Sequence, residues 1–145
     1  MDQGGFYSSA ELITEDSAIL QSMQSIRTPR VLLYKQKRIV YIDFSDLKKP
    51  EEIFELMDKA AKFISKNLPK SVLTLTNLSG MYFNRDIYNH FVNYVKLNNP
   101  YVKCSAVFGI NGLMQIFYNA FVALTGRDVK AFSTEFEARE YLAEK

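Results

Sequence analysis

The chain has 145 residues, 48% hydrophobic and 23% charged, which is typical of one globular domain and not of a disordered chain. Its 18 basic and 16 acidic side chains give a net charge of +2 and are scattered along the chain, which argues against a nucleic-acid-binding protein. Cys104 is the only cysteine, so an internal disulfide is excluded, and residues 1–16 lack the basic and apolar regions of a conventional signal peptide. We therefore expect a cytoplasmic protein.

Residues 1–28 differ in composition from the remainder of the chain. They contain Gly4-Gly5, five serines and a single basic residue, Arg27. The stretch 16–26 fits a weak helix with an apolar face, although other patterns fit it equally well. We predict an N-terminal extension at 1–28 that packs on the domain or on a partner, followed by a regular domain at 29–145.

The first half of the domain predicts a hairpin and a helix. Residues 31–34 and 39–44 are β-rich runs separated by four polar residues at 35–38, which favours an antiparallel hairpin. Pro50 then occupies a first-turn position with two glutamates behind it. Apolar residues recur at helical spacing from there to Asn67, which predicts a helix.

A buried strand at 71–76 forms the centre of the predicted sheet. The loop 78–83 follows it and leads to Asn84, which stands where a helix N-cap belongs. The next helix is predicted over 86–97, with an inward face formed by Ile87, Phe91, Tyr94 and Val95. Side chains from these elements and from the following helix are expected to be largely buried: Leu73, Leu75, Phe91 and Phe117.

The second half repeats the alternation of strand and helix. A strand is predicted at 103–110, a helix at 113–124 ended by Gly126, and a short strand at 129–132. Thr134 and Glu137 form a capping box that opens a C-terminal helix. The order predicts an α/β fold with a mostly parallel sheet, an antiparallel N-terminal hairpin strand and about four helices.

The segment NLSGMYF at 77–83, which leads directly into a helix, resembles the DLSGVxF segment of STAS domains, the fold of bacterial anti-sigma-factor antagonists such as SpoIIAA. The likeness is closer to the SpoIIAA-like (STAS-like) proteins. In these a hairpin similar to VLLYKQKRIVYIDFS precedes the first helix, and a segment similar to NPYVKCSAVFGINGL follows the second. The resemblance covers residues 30–142 and implies a STAS-like fold with a regulatory, non-catalytic role in protein binding.

This chain departs from the STAS pattern where the phosphorylated antagonists carry their acceptor serine. The corresponding residues are Arg85-Asp86-Ile87-Tyr88, which provide no hydroxyl at the acceptor position, and Asn77 stands where the family usually has Asp. A switch of that kind acts by adding charge at a helix N-terminus. We therefore expect a module that lacks the usual phosphoacceptor serine.

No catalytic or metal-binding pattern is visible in the sequence. His90 has no ligand-type residue at metal-binding spacing, and Asp43 with Asp46 fits turn and capping roles better than a cation site. Gly109 and Gly112 imitate a phosphate-binding turn but lack the remaining P-loop residues. We expect no cofactor, no metal and no enzymatic activity.

The stretch from Cys104 to Gly126 carries no charged residue. Its polar residues and interior glycines argue against a membrane span and divide it into a strand and a helix. On that helix only Asn111, Gln115 and Asn119 form a polar stripe. We expect part of its outer surface to be covered by a second subunit, the N-terminal extension or a ligand, with an interface at Met114, Tyr118 and Phe121.

The binding surface is predicted at the carboxyl edge of the parallel strands. There the loop 79–85 and the turn 109–112 should lie side by side, each opening a helix N-terminus. The hypothesis assigns recognition to a cluster formed by Ser79, Tyr82, Asn84, Arg85 and Asn111. The alternative is that the two asparagines only cap their helices and that Tyr82 packs on its own loop.

Three functions stay open at this point. The first is a non-catalytic STAS-like module that binds an unidentified protein partner, with a homodimer as its own assembly. The second is a binder of an apolar small molecule or lipid, since nine tyrosines and eleven phenylalanines can line a pocket and the STAS-like architecture is related in outline to the CRAL-TRIO fold. The third, an enzyme, requires a nucleophile beside a base, and the sequence shows no such pair.

Overall fold

The computed structural model describes residues 27–125 and 129–145. The predicted weak helix at 16–26 and the predicted helix end at Gly126 lie outside these residues. The described elements are β1 (Arg30–Tyr34), β2 (Lys37–Asp43), α1 (Pro50–Ile64), β3 (Val72–Asn77), α2 (Arg85–Asn98), β4 (Val102–Phe108), α3 (Gly112–Thr125), β5 (Val129–Phe132) and α4 (Glu135–Ala143).

The five strands form one sheet in the order β1-β2-β3-β4-β5. β1 and β2 are antiparallel, and each later strand is parallel to its predecessor. This confirms the predicted α/β fold with an antiparallel hairpin strand. The hairpin turn is tighter than the four residues expected from the polar run, because Lys35 and Gln36 both adopt positive φ angles, 48° and 68°, and close it alone.

Local sequence signals account for the helix starts. Pro50 is the first residue of α1, and Glu51 and Glu52 follow in its first turn. The Oδ1 of Asn84 accepts a hydrogen bond from the Ile87 N–H at 2.9 Å at the start of α2. The Glu137 N–H donates to the Thr134 hydroxyl, which confirms the predicted cap of α4. The Glu137 carboxylate accepts from that same hydroxyl, where a full capping box would engage the Thr134 backbone N–H.

Helices cover both faces of the sheet. The cluster that includes Ile53, Ile87 and Met114 places α1, α2 and α3 on one face, and α4 covers the other through Ala138 and Leu142. The predicted burial is confirmed for Leu73 and Leu75. It is wrong in part for the helices, because Phe91 and Phe117 are only half-buried. The inward direction of Phe91 and Val95 is confirmed, since both pack against the core, but the predicted inward face of α2 omitted the buried Val92 and Asn98.

The uncharged stretch is divided as expected, into β4 and α3. Within residues 27–125 and 129–145, no helix combines the length and the apolar character needed to cross a membrane.

Candidate functional site

Three loops meet at the carboxyl edge of the parallel strands. The Leu78 N–H donates to the Phe108 carbonyl at 2.9 Å, which joins the end of β3 to the end of β4. Gly109, at φ +85°, lies so close to Ser79 that a Cβ there would be 2.2 Å from the Ser79 Oγ. The loop 79–85 and the turn 109–112 are therefore neighbours, as the strand order predicted.

The third loop follows β2 and was missing from the predicted site. The Asp46 N–H donates to the Ser79 carbonyl and the Tyr82 N–H donates to the Leu47 carbonyl, each at 2.8 Å. The Lys48 ammonium also donates to the Gly80 carbonyl. A signal for this loop existed, because β2 is parallel to β3 and ends at the same edge, but the hairpin prediction left the neighbour of β2 undetermined.

The five residues of the predicted cluster differ in what their side chains do. Asn84 and Asn111 both cap helices, since the Asn111 Oδ1 accepts from the Met114 N–H at 2.9 Å. The Tyr82 side chain is 43% exposed, and its hydroxyl accepts a hydrogen bond from the Asn84 side chain at 3.4 Å. Arg85 is exposed, whereas Ser79 is half-buried in the loop contact. Asn111 is exposed as well but holds its helix cap, so Tyr82 and Arg85 are the exposed members without a capping role.

The weaker chemical candidates have structural roles. Asp43 pairs with Arg27 at 3.4 Å and accepts a hydrogen bond from the Ser45 N–H, as expected of a turn residue. His90 stacks on Phe54 with ring centroids 3.9 Å apart. In the described part of the chain, no group of three or more His, Cys, Asp and Glu side chains could hold a metal ion.

The proposed interface residues of α3 point into the domain. Met114 and Phe121 are buried, and the Tyr118 hydroxyl donates to the Val129 carbonyl. The apolar side chains that α3 exposes are different ones: Leu113, Ile116, Val122 and Leu124. The helical period was assigned to the wrong face, because α3 is apolar on both sides and its sequence does not mark the inner one.

Met114, Tyr118 and Phe121 line a cavity of about 120 Å³ between α2, α3 and the sheet. Its outer wall is largely aromatic, and Phe117 packs against Phe83 and Tyr88 with ring centroids 5.3 and 4.8 Å apart. No charged residue lines it. The complete lining consists of Thr74, Thr76, Leu78, Phe83, Tyr88, Phe91, Tyr94, Val95, Asn98, Val102, Ser105, Val107, Ile110, Met114, Phe117, Tyr118, Phe121 and Val129.

The sheet side of the cavity carries three hydroxyl groups. The Thr74 hydroxyl donates a hydrogen bond to the Ser105 hydroxyl at 2.7 Å, so each of these two hydroxyls has a hydrogen-bond partner. Thr76 is 8% exposed, and within the described ranges its hydroxyl has no hydrogen-bond partner. A buried hydroxyl without a partner is uncommon in proteins, because desolvation without compensation costs free energy.

The Tyr94 hydroxyl and the Asn98 side-chain amide are a second pair of polar groups in the cavity lining. Both are buried, and burial raises the pKa of the Tyr94 hydroxyl, an effect that a hydrogen bond with the Asn98 side chain opposes. The Tyr94 hydroxyl therefore stays protonated at neutral pH. The wall offers hydrogen bonds but no charge.

The cavity results from the sizes of the facing side chains. Small residues of β3 and β4 line its sheet side, and aromatic rings line its helix side. The sequence signal that was missed is the alternation of Thr74 and Thr76 with leucines in a strand buried on both faces.

The fold is similar to that of an anti-sigma-factor antagonist (STAS) domain protein from Planctomyces limnophilus. The TM-score is 0.53 at 13% sequence identity, and the match covers 79% of this chain and 97% of that chain. At this identity the similarity shows the fold alone. No family model matches the sequence, and no curated protein matches it. The chain has a STAS-like fold, as the resemblance of its motifs predicted.

Proposed function

We propose that this protein is a non-catalytic, STAS-like regulatory module that binds a protein partner through the carboxyl edge of its sheet. The binding surface consists of the exposed side chains of Tyr82 and Arg85 on the loop after β3. Ser79, Asn84 and Asn111 shape this surface without forming its exposed centre. The proposal includes a cytoplasmic location and a homodimer as the protein's own assembly.

The observation that carries the proposal is the rigid presentation of Tyr82. Backbone hydrogen bonds tie its loop to the loop after β2, and the Asn84 side chain donates a hydrogen bond to its hydroxyl, while the residue stays 43% exposed. An aromatic ring held in place loses little entropy on binding. Tyrosine and arginine are also the residue types enriched among the energetically dominant residues of interfaces.

Regulation of this module does not use the usual acceptor serine. The start of α2 reads Arg85-Asp86, and the first hydroxyl of the helix belongs to the half-buried Tyr88. Ser79 is the nearest serine upstream, and its backbone is engaged with Asn77 and Asp46. Stoichiometric phosphorylation of Ser79 that releases a partner would contradict this part of the proposal.

Photocrosslinking tests the location of the surface. A benzophenone amino acid is placed at position 82, and the matched control carries it at position 68. Leu68 is 76% exposed in the loop between α1 and β3, at the opposite edge of the sheet. We expect a discrete protein adduct from position 82 in the native cell and none from position 68.

The double variant Tyr82→Ala, Arg85→Ala then measures the contribution of the two side chains. With the crosslinked protein purified, we expect at least a tenfold loss of affinity while the circular dichroism spectrum is retained. Leu68→Ala is the matched variant with unchanged affinity. A folded double variant that binds at full affinity would refute the proposed surface.

A further inference from the structure

We propose that the cavity between α2, α3 and the sheet is a binding site for a small neutral aromatic molecule that carries one hydroxyl or carbonyl group. This site adjoins the carboxyl-edge surface through Leu78, Phe83 and Ile110 but does not include Tyr82 or Arg85. It goes beyond the proposed role in protein binding, and its ligand is recognised inside the domain, through shape and one hydrogen bond.

The volume sets the size of the ligand. The cavity is open to solvent on one side, and its volume of about 120 Å³ is close to that of engineered apolar cavities, about 150 Å³, that bind benzene. One six-membered ring with a small substituent therefore matches the space. The aromatic residues around it, among them Phe83, Tyr88 and Phe117, favour a flat ring that they can contact edge-to-face.

The lining sets the charge of the ligand. The lining contains no Asp, Glu, Lys, Arg or His, and burial raises the pKa of the Tyr94 hydroxyl further above neutral pH. A carboxylate or ammonium group would enter without a counter-charge, at a large desolvation cost. The site therefore selects neutral molecules and rejects charged ones of the same shape.

Thr76 sets the polar group of the ligand. Its side chain is more than nine-tenths buried, it lines the cavity, and its hydroxyl has no partner in residues 27–125 and 129–145. The adjacent hydroxyls of Thr74 and Ser105 are already bonded to each other. A ligand hydroxyl or carbonyl placed at Thr76 removes an unsatisfied buried group, which supplies the preference over a purely apolar ring.

Three probes of nearly one shape test the proposal on the full-length protein: p-cresol, toluene and p-toluate. Isothermal titration and ¹H–¹⁵N spectra measure their affinities. We expect p-cresol to bind saturably, about tenfold more tightly than toluene, as one added hydrogen bond would produce. We expect p-toluate not to bind. Equal affinities for p-cresol and toluene, or saturable binding of p-toluate, would overturn the proposed selectivity.

Two variants locate the site. Thr76→Val keeps the shape of the side chain and should abolish the difference between p-cresol and toluene. Val107→Phe puts a ring into the cavity and should eliminate binding of both, whereas Val31→Phe, on the exposed edge strand, should bind as the native protein does. Retained binding in a folded Val107→Phe variant would place the ligand elsewhere and refute the site.

Intermolecular nuclear Overhauser effects in the unmodified protein provide a test that does not depend on the folding of any variant. The methyl protons of p-cresol should show contacts to the rings of Tyr88 or Phe117. Contacts only to exposed apolar residues of α3 such as Ile116, or the absence of saturable binding, would also refute the site.

Discussion

The two faces of β3 are filled in different ways. Toward α4, the strand presents Leu73 and Leu75, which pack with Ala138 and Leu142 in a closed cluster. Toward α2 and α3, alternate residues of the same strand are threonines beneath a cavity. Both faces belong to one sheet and are covered by helices. The difference therefore arises from the side chains and not from the backbone.

The face of β3 toward α4 stabilises the fold, whereas the face toward α2 and α3 borders the cavity that we propose as a binding site. Close packing of aliphatic side chains on the α4 face contributes stability through burial and dispersion. On the opposite face, the cavity reduces packing contacts, and the Thr76 hydroxyl has no partner within residues 27–125 and 129–145. A ligand bound as we propose would stabilise the folded protein, because it binds the native state and not the unfolded chain.

The largest effect should come from truncating the closed face. Leu75 is fully buried, so Leu75→Ala should lower the free energy of unfolding by roughly 2–5 kcal/mol. The neighbouring variant Thr76→Val should change it by less than about 1 kcal/mol, because the hydroxyl that it removes has no partner among the described residues. Urea denaturation of both variants measures the contrast. Equal destabilisation by the two would mean that the faces do not differ.

Phe91 should give an intermediate effect. Its ring packs against Phe44 and Tyr94 with centroids 5.3 and 5.9 Å apart, but one side borders the cavity and it is only half-buried. We expect Phe91→Ala to cost roughly 2 kcal/mol, below the roughly 3–5 kcal/mol of a fully buried phenylalanine. A shift of the thermal midpoint as large as that of Leu75→Ala would show that the cavity face is as tightly packed as the other.

The helix caps test whether the helices on the two faces are secured equally. Asn84→Ala removes the cap of α2, and Thr134→Ala removes the cap of α4. We expect each to cost about 1 kcal/mol in chemical denaturation. Asn84→Asp is the matched control that keeps an acceptor and should remain near the native value. An unchanged stability in Asn84→Ala would contradict the assigned cap.

The smallest effect concerns the contact of α4 with the hairpin tip. Glu140 accepts hydrogen bonds from Lys35 and from the Tyr34 hydroxyl, and these bonds lower the pKa of the Glu140 carboxyl. The pKa of Glu140 is therefore lower in the folded protein than in the unfolded chain. The contact contributes its full stability at pH values above the unfolded-state pKa, and that stability is lost as pH falls through the folded-state pKa.

The alkaline side should show the converse for Lys35 and Tyr34. Hydrogen bonds with Glu140 raise the pKa values of both side chains. The stability that they contribute is therefore lost as pH rises through their folded-state pKa values. Nuclear magnetic resonance titration of the Glu140 carboxyl carbon should give a midpoint below that of an unfolded peptide. Glu140→Gln should remove the acid dependence of the Tyr34 ring signals. A midpoint at the ordinary value for glutamate would contradict the contact.

Much of the fold followed from local signals. Pro50, the Asn84 cap and the Thr134 cap marked helix starts, because these groups satisfy free backbone N–H groups or fix φ wherever the chain goes next. The alternation of strands and helices predicted the parallel sheet and, from it, the contact between the loops that follow β3 and β4.

Tertiary structure alone decided which side of α3 faces inward and what lies beneath it. A helix without charges has no sequence mark for its inner face, so Met114 and Phe121 were expected at an interface and are instead buried. The space beneath them depends on small side chains from β3 and β4 meeting rings from α2 and α3, residues far apart in sequence. Local preferences determine helices and strands, whereas a cavity forms only when all of the segments that line it have packed together.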